Sequence, residues 1–124
     1  MSDFNDPTPI ATAQQYRAAL LAVRERMTEV QLKMLQAHCR SEGHSISTNR
    51  LAEALGMPTA SRYSNYAQWI ADELKYAPRP GEKKQMWLHA LAYGRPDAME
   101  TVDGQYEWIM RPELVETLQA MKWA

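Results

Sequence analysis

The sequence has little cysteine and no long apolar run. Cys39 is the single cysteine, so the chain cannot form an internal disulfide, and this usage is typical of the reducing cytoplasm. No apolar stretch reaches the roughly 20 residues that cross a bilayer. Residues 1–7 lack the basic and apolar regions of a secretory signal. We therefore predict a cytoplasmic protein with no membrane partner.

Neither sign of charge is in excess. The chain of 124 residues has 14 Lys and Arg against 15 Asp and Glu, for a net charge of −1. Residues 1–76 hold eight of each kind, and residues 77–124 hold six basic and seven acidic residues. Neither part is a basic arm or an acidic DNA mimic. A DNA-binding surface would therefore have to be assembled by folding, and its affinity would be modest and sensitive to salt.

The spacings of common catalytic and metal sites are also missing. The sequence contains no CxxC, no HxxxH pair and no glycine-rich phosphate loop. His38 and Cys39 are adjacent, and on a helix their side chains point about 100° apart, so they cannot bind one metal ion together. We therefore expect no enzymatic activity, no metal and no cofactor, with a structural His38 and a buried Cys39.

Residues 47–74 indicate two helices joined by a tight turn. Ser47 or Thr48 can cap the first helix, because a side-chain oxygen there accepts the free N–H groups of the first turn. Gly56 supplies the left-handed conformation that ends helices, and Pro58 prevents continuation. The second helix has one apolar face, made by Tyr63, Ala67, Ile70 and Leu74.

The other face of this second helix is polar. Its side chains include Arg62, Asn65 and Gln68. These are residue types that make two-point contacts with base edges in the major groove. A short helix, a turn and a helix with outward polar residues is the helix-turn-helix layout. A plain solvated face is the alternative interpretation of the same residues.

Patterns in the rest of the chain predict further helices and strands. Capping boxes begin at Thr12 and Thr28, and Pro112 suits the first position of a helix. The predicted elements are helices over about 13–26 and 28–42, a short strand at 45–47, strands over 85–93 and 106–110, and a final helix from Pro112. The alanines of residues 90–98 leave a helix open as an alternative for the first of the two longer strands.

This order predicts a mainly α protein with a small β-hairpin, in the α+β class. It is the order of a winged helix-turn-helix with an extra N-terminal helix and an extra C-terminal helix. We expect a flexible segment over 1–11 and a single winged-helix-like domain over 12–124. The N-terminal helix is a candidate contact for a homodimer.

Basic residues cluster around the predicted wing. They are Arg79, Lys83, Lys84 and Arg95. Side chains of this kind hold phosphates without reading sequence. Together with Arg62, Asn65 and Gln68 they make double-stranded DNA the first predicted partner. The first functional hypothesis is thus a small DNA-binding winged-helix protein, regulatory in transcription or accessory, from a bacterium or a phage.

Three segments resemble the small domain found upstream of HNH nuclease domains in some bacterial and phage proteins. They are Leu51 to Gly56, Asn65 to Leu74, and Tyr106 to Leu114, whose Trp-x-Met-Arg-Pro-Glu run is the most specific. The resemblance covers most of residues 28–123. It implies the domain type and a module that places something on DNA. In that family the nuclease lies in a separate domain, and this chain has no HNH motif, so the resemblance implies no cleavage.

A protein-interaction module is the second hypothesis. Near-neutral charge, eight methionines and many aromatics fit an adaptable protein-binding surface. The aromatics of the second helix and the wing region are Tyr63, Tyr66, Trp69, Trp87, Tyr93, Tyr106 and Trp108, and we expect most of them to be buried. In this interpretation the partner is a host protein complex, and the chain inhibits host defence as an anti-CRISPR or anti-restriction protein does.

Overall fold

The chain forms a mainly helical α+β structure in a computed structural model, which describes residues 9–58, 63–75, 88–94 and 107–124. Within these residues there are five α-helices and three short strands. Their bounds are α1 Ala13–Val23, α2 Glu29–Arg40, β1 Ser45–Ser47, α3 Thr48–Ala54, α4 Tyr63–Leu74, β2 Ala92–Gly94, β3 Glu107–Met110 and α5 Pro112–Ala120. The predicted class is confirmed. In the described residues no helix has the length and apolar character needed to cross a membrane.

Two capping boxes start α1 and α2, as predicted. The Thr12 hydroxyl accepts the N–H of Gln15 at 3.1 Å, and the Gln15 side chain accepts the N–H of Thr12 at 2.7 Å. Thr28 and Gln31 repeat both bonds at 3.3 and 2.7 Å. Each pair satisfies two backbone donors that a helix start leaves without an intrahelical partner, and a cap of this kind contributes about 1 kcal/mol.

Helix α3 ends in the left-handed glycine that the sequence predicts. Ser47 caps its start by accepting the N–H of Arg50 at 3.2 Å. Gly56 has φ of 66°, and its N–H donates to the Glu53 carbonyl at 3.1 Å, while the Met57 N–H donates to the Ala52 carbonyl at 2.9 Å. These are the two hydrogen bonds of a Schellman motif. The motif turns the chain away from α3 towards α4.

The strands form an antiparallel sheet in the order β1-β3-β2. In the centre, Trp108 of β3 pairs with Ile46 of β1 on one side and with Gly94 of β2 on the other. The strand between α2 and α3 is therefore joined to a pair of strands that are distant in sequence. Residues 95–106, which include the predicted wing connection, lie outside the described residues.

Three predicted element bounds are wrong. Of the strand predicted over 85–93, residues 88–90 form a 3-10 turn and the strand runs over Ala92–Gly94. The turn is closed by the N–H of Leu91, which donates to the Leu88 carbonyl at 2.9 Å, and both side chains are buried. Residues 85–87 lie outside the described residues.

The first two helices end earlier than predicted. Helix α1 ends at Val23, ahead of a turn over 24–26, and α2 ends at Arg40, ahead of a turn around Gly43.

Helix α1 occupies the centre of the core, because it packs against both α4 and α5. Tyr16, Leu20 and Val23 are fully buried on its apolar face. The Tyr16 hydroxyl donates to the Ala90 carbonyl at 2.6 Å, which satisfies the one polar atom of that side chain. The apolar face of α1 is thus used within the chain. Its outer face carries Arg17 and Leu21, which are the residues left for the predicted homodimer contact.

Candidate nucleic-acid interface

Helix α4 buries one side and exposes the other. The buried side chains are Tyr63, Tyr66, Ala67, Ile70 and Ala71. Gln68, Asp72 and Glu73 are exposed. This is the division of an amphipathic surface helix. These three exposed side chains form the outward strip of α4, which is available to a partner.

Gln68 is the predicted base-contacting residue whose side chain the structure describes, and it is exposed. Asn65 lies on α4 three positions earlier, so the backbone places positions 65 and 68 on one face; the Asn65 side chain is outside the described part. The remaining predicted contacts, Arg62, Arg79, Lys83, Lys84 and Arg95, lie outside the described residues. Their part in the interface stays a prediction.

The described outer face of α4 is not basic. Asp72 and Glu73 place two carboxylates there, and Lys75 at the end of the helix places one ammonium group. Phosphates repel the carboxylates, so this face gains no affinity from charge alone. Any attraction to a polyanion has to come from neighbouring elements.

A buried histidine fixes the start of α4 to two other elements. His38 of α2 is fully buried. Its Nε2 lies 2.7 Å from the carbonyl oxygen of Trp108 in β3, and its Nδ1 lies 2.8 Å from the hydroxyl of Tyr63. A carbonyl only accepts, so Nε2 carries the proton, and Nδ1 then accepts from the Tyr63 hydroxyl. One neutral imidazole thus joins α2, β3 and α4.

The surroundings of this histidine keep it uncharged. The pKa of His38 is lowered to about 4, mainly by burial. The nearby His44 also lowers the pKa, and two backbone hydrogen bonds act in the opposite direction. Burial raises the pKa of the Tyr63 hydroxyl far above its usual range. Neither group changes its protonation state near neutral pH. Their arrangement is that of a structural pair, in agreement with the predicted structural role of His38.

Two exposed arginines at the end of α1 lie over tryptophan rings. The Arg26 guanidinium carbon is 4.9 Å from the ring centroid of Trp69 on α4. The Arg24 guanidinium carbon is 5.7 Å from the ring centroid of Trp123, after α5. Both distances are within the range of cation–π contacts. The two side chains therefore diverge, one towards α4 and one towards the end of α5.

A polar cleft of about 560 Å³ lies beside β1 and β3. Its lining includes Ser41, Glu42, Ser45, Arg50 and Glu107. The Ser45 hydroxyl donates to Glu107 Oε1 at 2.9 Å, and Glu107 is only 8% exposed. The carboxylate is therefore held within the sheet surface. Both signs of charge border the cleft, which gives it no preference for a polyanion.

Arg111, in the Trp-x-Met-Arg-Pro-Glu run, makes several contacts with the 88–94 segment. The side chain is fully buried, and its Nε donates to the carbonyl of His89 at 2.9 Å, while an Nη lies 3.0 Å from His89 Nε2. Its backbone N–H donates to the Leu91 carbonyl at 2.9 Å, and its guanidinium lies 5.8 Å from the Tyr93 ring centroid. Arg111 therefore ties the start of α5 to the 88–94 segment.

Cys39 is buried, as predicted. Burial raises the pKa of its thiol, with a weaker opposing effect of Arg40, so the thiolate that acts as a nucleophile or metal ligand is disfavoured. Among the described residues no three His, Cys, Asp or Glu side chains are grouped as a metal site.

Comparison with known proteins adds no further information about the site. No protein-family model, curated protein or solved structure matches the chain.

Sequence reasoning did not identify the tryptophan partners of Arg24 and Arg26. Both arginines are exposed, but the contacts with Trp69 and Trp123 join positions that are far apart in the chain. No local pattern indicated these contacts, because residues 24–26 were predicted to continue the first helix. Of the predicted buried aromatics, Tyr63 and Tyr66 are buried, while Trp69, Tyr93 and Trp108 are half-buried; Trp87 and Tyr106 lie outside the described residues.

Proposed function

We propose that the chain is a DNA-binding winged-helix domain whose helix α4 enters the major groove. The observation that carries this proposal is the order of the elements: β1 lies between α2 and α3, and β2 and β3 follow α4. The sheet order β1-β3-β2 is what results when the strand between the helices adds to the far edge of a two-stranded wing. The α3–α4 pair then corresponds to the helix-turn-helix.

The outward strip of α4 supports this role by its size and chemistry. A helix with side chains is about 10–12 Å across, which matches a major groove about 12 Å wide. Gln68 is exposed in the middle of α4, and its amide can donate to and accept from one adenine edge. Position 65 lies on the same face. In this proposal Arg62, Asn65 and Gln68 read bases, and Arg79, Lys83, Lys84 and Arg95 hold phosphates.

The near-neutral charge of the chain limits its affinity for random DNA. A net charge of −1 and two carboxylates on the outer face of α4 give weak attraction to random DNA. Affinity for random DNA is then modest, and base contacts have to add to it at a preferred site. A regulatory or accessory protein of a bacterium or a phage, acting at particular sequences, fits these properties.

Fluorescence anisotropy with a labelled random-sequence duplex at low salt tests the proposal. We expect binding at micromolar protein that weakens steeply as salt is added. Selection of bound duplexes from a random pool should then yield a preferred site. Absence of binding to any duplex at micromolar protein and low salt would overturn the proposal.

A protein-binding role is the second candidate, and the acidic residues of α4 favour it. Asp72 and Glu73 are exposed there, and the large apolar side chains Leu21 and Val30 are 53% and 42% exposed. Exposed carboxylates suit a basic protein partner, and exposed apolar side chains suit a protein contact in general. These features would fit an inhibitor of a host defence complex of the anti-CRISPR or anti-restriction type. Affinity capture from a bacterial host lysate, treated with nuclease, should then yield a stoichiometric partner; its absence counts against this candidate.

A further inference from the structure

The guanidinium of Arg26 lies on the flank of α4. It is 4.9 Å from the ring centroid of Trp69. On α4, position 69 follows position 65 by four residues and precedes Asp72 by three, so it borders the outward strip. It lies about 100° around the helix from Gln68, since each residue of an α-helix turns by that angle. Arg26 is thus held beside the strip that the proposed function assigns to base reading.

We propose that Arg26 is a phosphate-binding residue that the end of α1 supplies to the α4 interface. This inference rests on the proposed DNA-binding function. A helix of about 10–12 Å fills a groove about 12 Å wide, so phosphates border it on both flanks. A cation on the flank of α4 would therefore lie next to the phosphates of one DNA strand, while Gln68 would point to the bases.

The cation–π contact with Trp69 prepares Arg26 for this role. A guanidinium held over an aromatic ring can still donate hydrogen bonds from its N–H groups. Within the described residues, no carboxylate or carbonyl accepts a hydrogen bond from the Arg26 side chain. The ring limits the rotamers of the long side chain, so less conformational entropy is lost when a phosphate binds.

Arg24 provides a matched control. It lies two residues earlier, is also exposed, and is also placed over a tryptophan, but that ring is Trp123 at 5.7 Å, beyond α5. Substituting either arginine removes one charge and one cation–π contact. The two substitutions therefore change the net charge equally, and they differ in whether the lost cation lies beside α4.

The experiment measures the affinity of the full chain for a labelled duplex as a function of salt, for the wild type, R26A, R26Q and R24A. Loss of one phosphate contact should lower the salt slope by about 0.9, which corresponds to about eightfold weaker binding at ~0.1 M salt. We expect this loss in R26A and R26Q and near-wild-type binding in R24A. R26Q keeps the length and polarity of the side chain, so it reports on the charge if R26A folds poorly.

Each other outcome overturns the inference in a distinguishable way. If the wild type binds DNA and the Arg26 variants bind equally well with the same salt slope, Arg26 is not a phosphate contact and the DNA-binding function stands. If R24A loses as much as R26A, the effect is one of net charge and the assignment to the flank of α4 is wrong. If the wild type binds no DNA, both this inference and the proposed function fail.

Discussion

His38 and Tyr63 share a buried hydrogen bond of 2.8 Å between Nδ1 and the phenolic hydroxyl. The second nitrogen of the same ring donates to the Trp108 carbonyl at 2.7 Å. Tyr63 is the first residue of α4, and Trp108 is in the central strand of the sheet. One uncharged imidazole therefore links the start of α4 to the central strand of the sheet.

Stability should fall when the solution is acidified, because His38 stays neutral in the folded chain. Its pKa is about 4 when folded against an ordinary 6.5, so between these values the unfolded chain binds a proton that the folded chain does not. Stability due to this group is complete above pH 6.5 and is lost as the pH falls towards 4. We expect the free energy of unfolding in urea to drop by about 2 kcal/mol from about pH 7 to about pH 5.

The substitution H38Q is the control for this pH dependence. Glutamine can still donate to the Trp108 carbonyl but does not titrate in this range. The variant should be less stable near neutral pH and should lose less stability on acidification. An equally steep pH dependence in H38Q would mean that other groups cause it.

Removal of the Tyr63 hydroxyl should destabilise the fold. In Y63F the Nδ1 of His38 stays buried without its donor, which costs about 1–3 kcal/mol in the free energy of unfolding. Y66F is the matched control, since Tyr66 is also buried on α4 and is 7% exposed but does not contact His38. Equal losses in Y63F and Y66F would show that the hydrogen bond contributes little.

Replacement of Arg111 by lysine should be costly although the charge is kept. The buried guanidinium uses a fixed fork of donors towards His89, with contacts of 2.9 and 3.0 Å, and lysine has no such fork. We expect R111K to lower the free energy of unfolding by about 2 kcal/mol. R17K changes an exposed arginine on α1 and should be within about 0.5 kcal/mol of the wild type. Similar stabilities for the two variants would contradict the structural role of Arg111.

The charge on α4 separates the two candidate functions. If α4 faces phosphates, D72N removes a repulsion and should tighten DNA binding by about 1 kcal/mol, which is roughly fivefold. E116Q makes the same charge change at an exposed position of α5 and should have little effect. Weaker capture of a protein partner by D72N, with no change in DNA binding, would favour the protein-interaction role.

Gln68 should contribute sequence preference more than affinity. Q68A removes an amide able to bind one adenine edge, so discrimination at that base pair should fall by about 1–3 kcal/mol. Competition with base-substituted duplexes measures this loss. K84A should instead weaken all sequences alike, and Q119A, at an exposed position of α5, should leave preference unchanged. Unaltered preference in Q68A would remove Gln68 from the reading face.

The sequence predicted the elements whose cause is local. Thr12, Thr28 and Ser47 cap helices where their spacing indicated, because a cap involves only the next three residues. Gly56 ends α3 with positive φ for an equally local reason. The helical spacing of apolar residues on α4 correctly predicted that Tyr63, Ala67 and Ile70 belong to the core.

Features that depend on contacts between distant segments were not predictable in this way. The 3-10 turn over 88–90 lies where a strand was predicted, because the Tyr16 hydroxyl and the Arg111 side chain bind its carbonyl groups from helices elsewhere in the chain. The partners of Arg26 and His38 are equally remote in sequence. Propensity carries no information about such contacts, and tertiary packing overrides it. For the candidate site, the sequence indicated the exposed face of α4 but not its cationic flank.

Amide chemical shifts of isotope-labelled protein, followed while an unlabelled duplex carrying the preferred site is added, test the central claim most directly. The account predicts that shifts concentrate on the outward positions of α4, Gln68 and Asp72, and on Arg26, while the amides of α5 barely change. A spectrum that stays unchanged at saturating duplex, or one in which the changes are confined to α5 and leave α4 untouched, would contradict the claim that α4 is the DNA-binding helix.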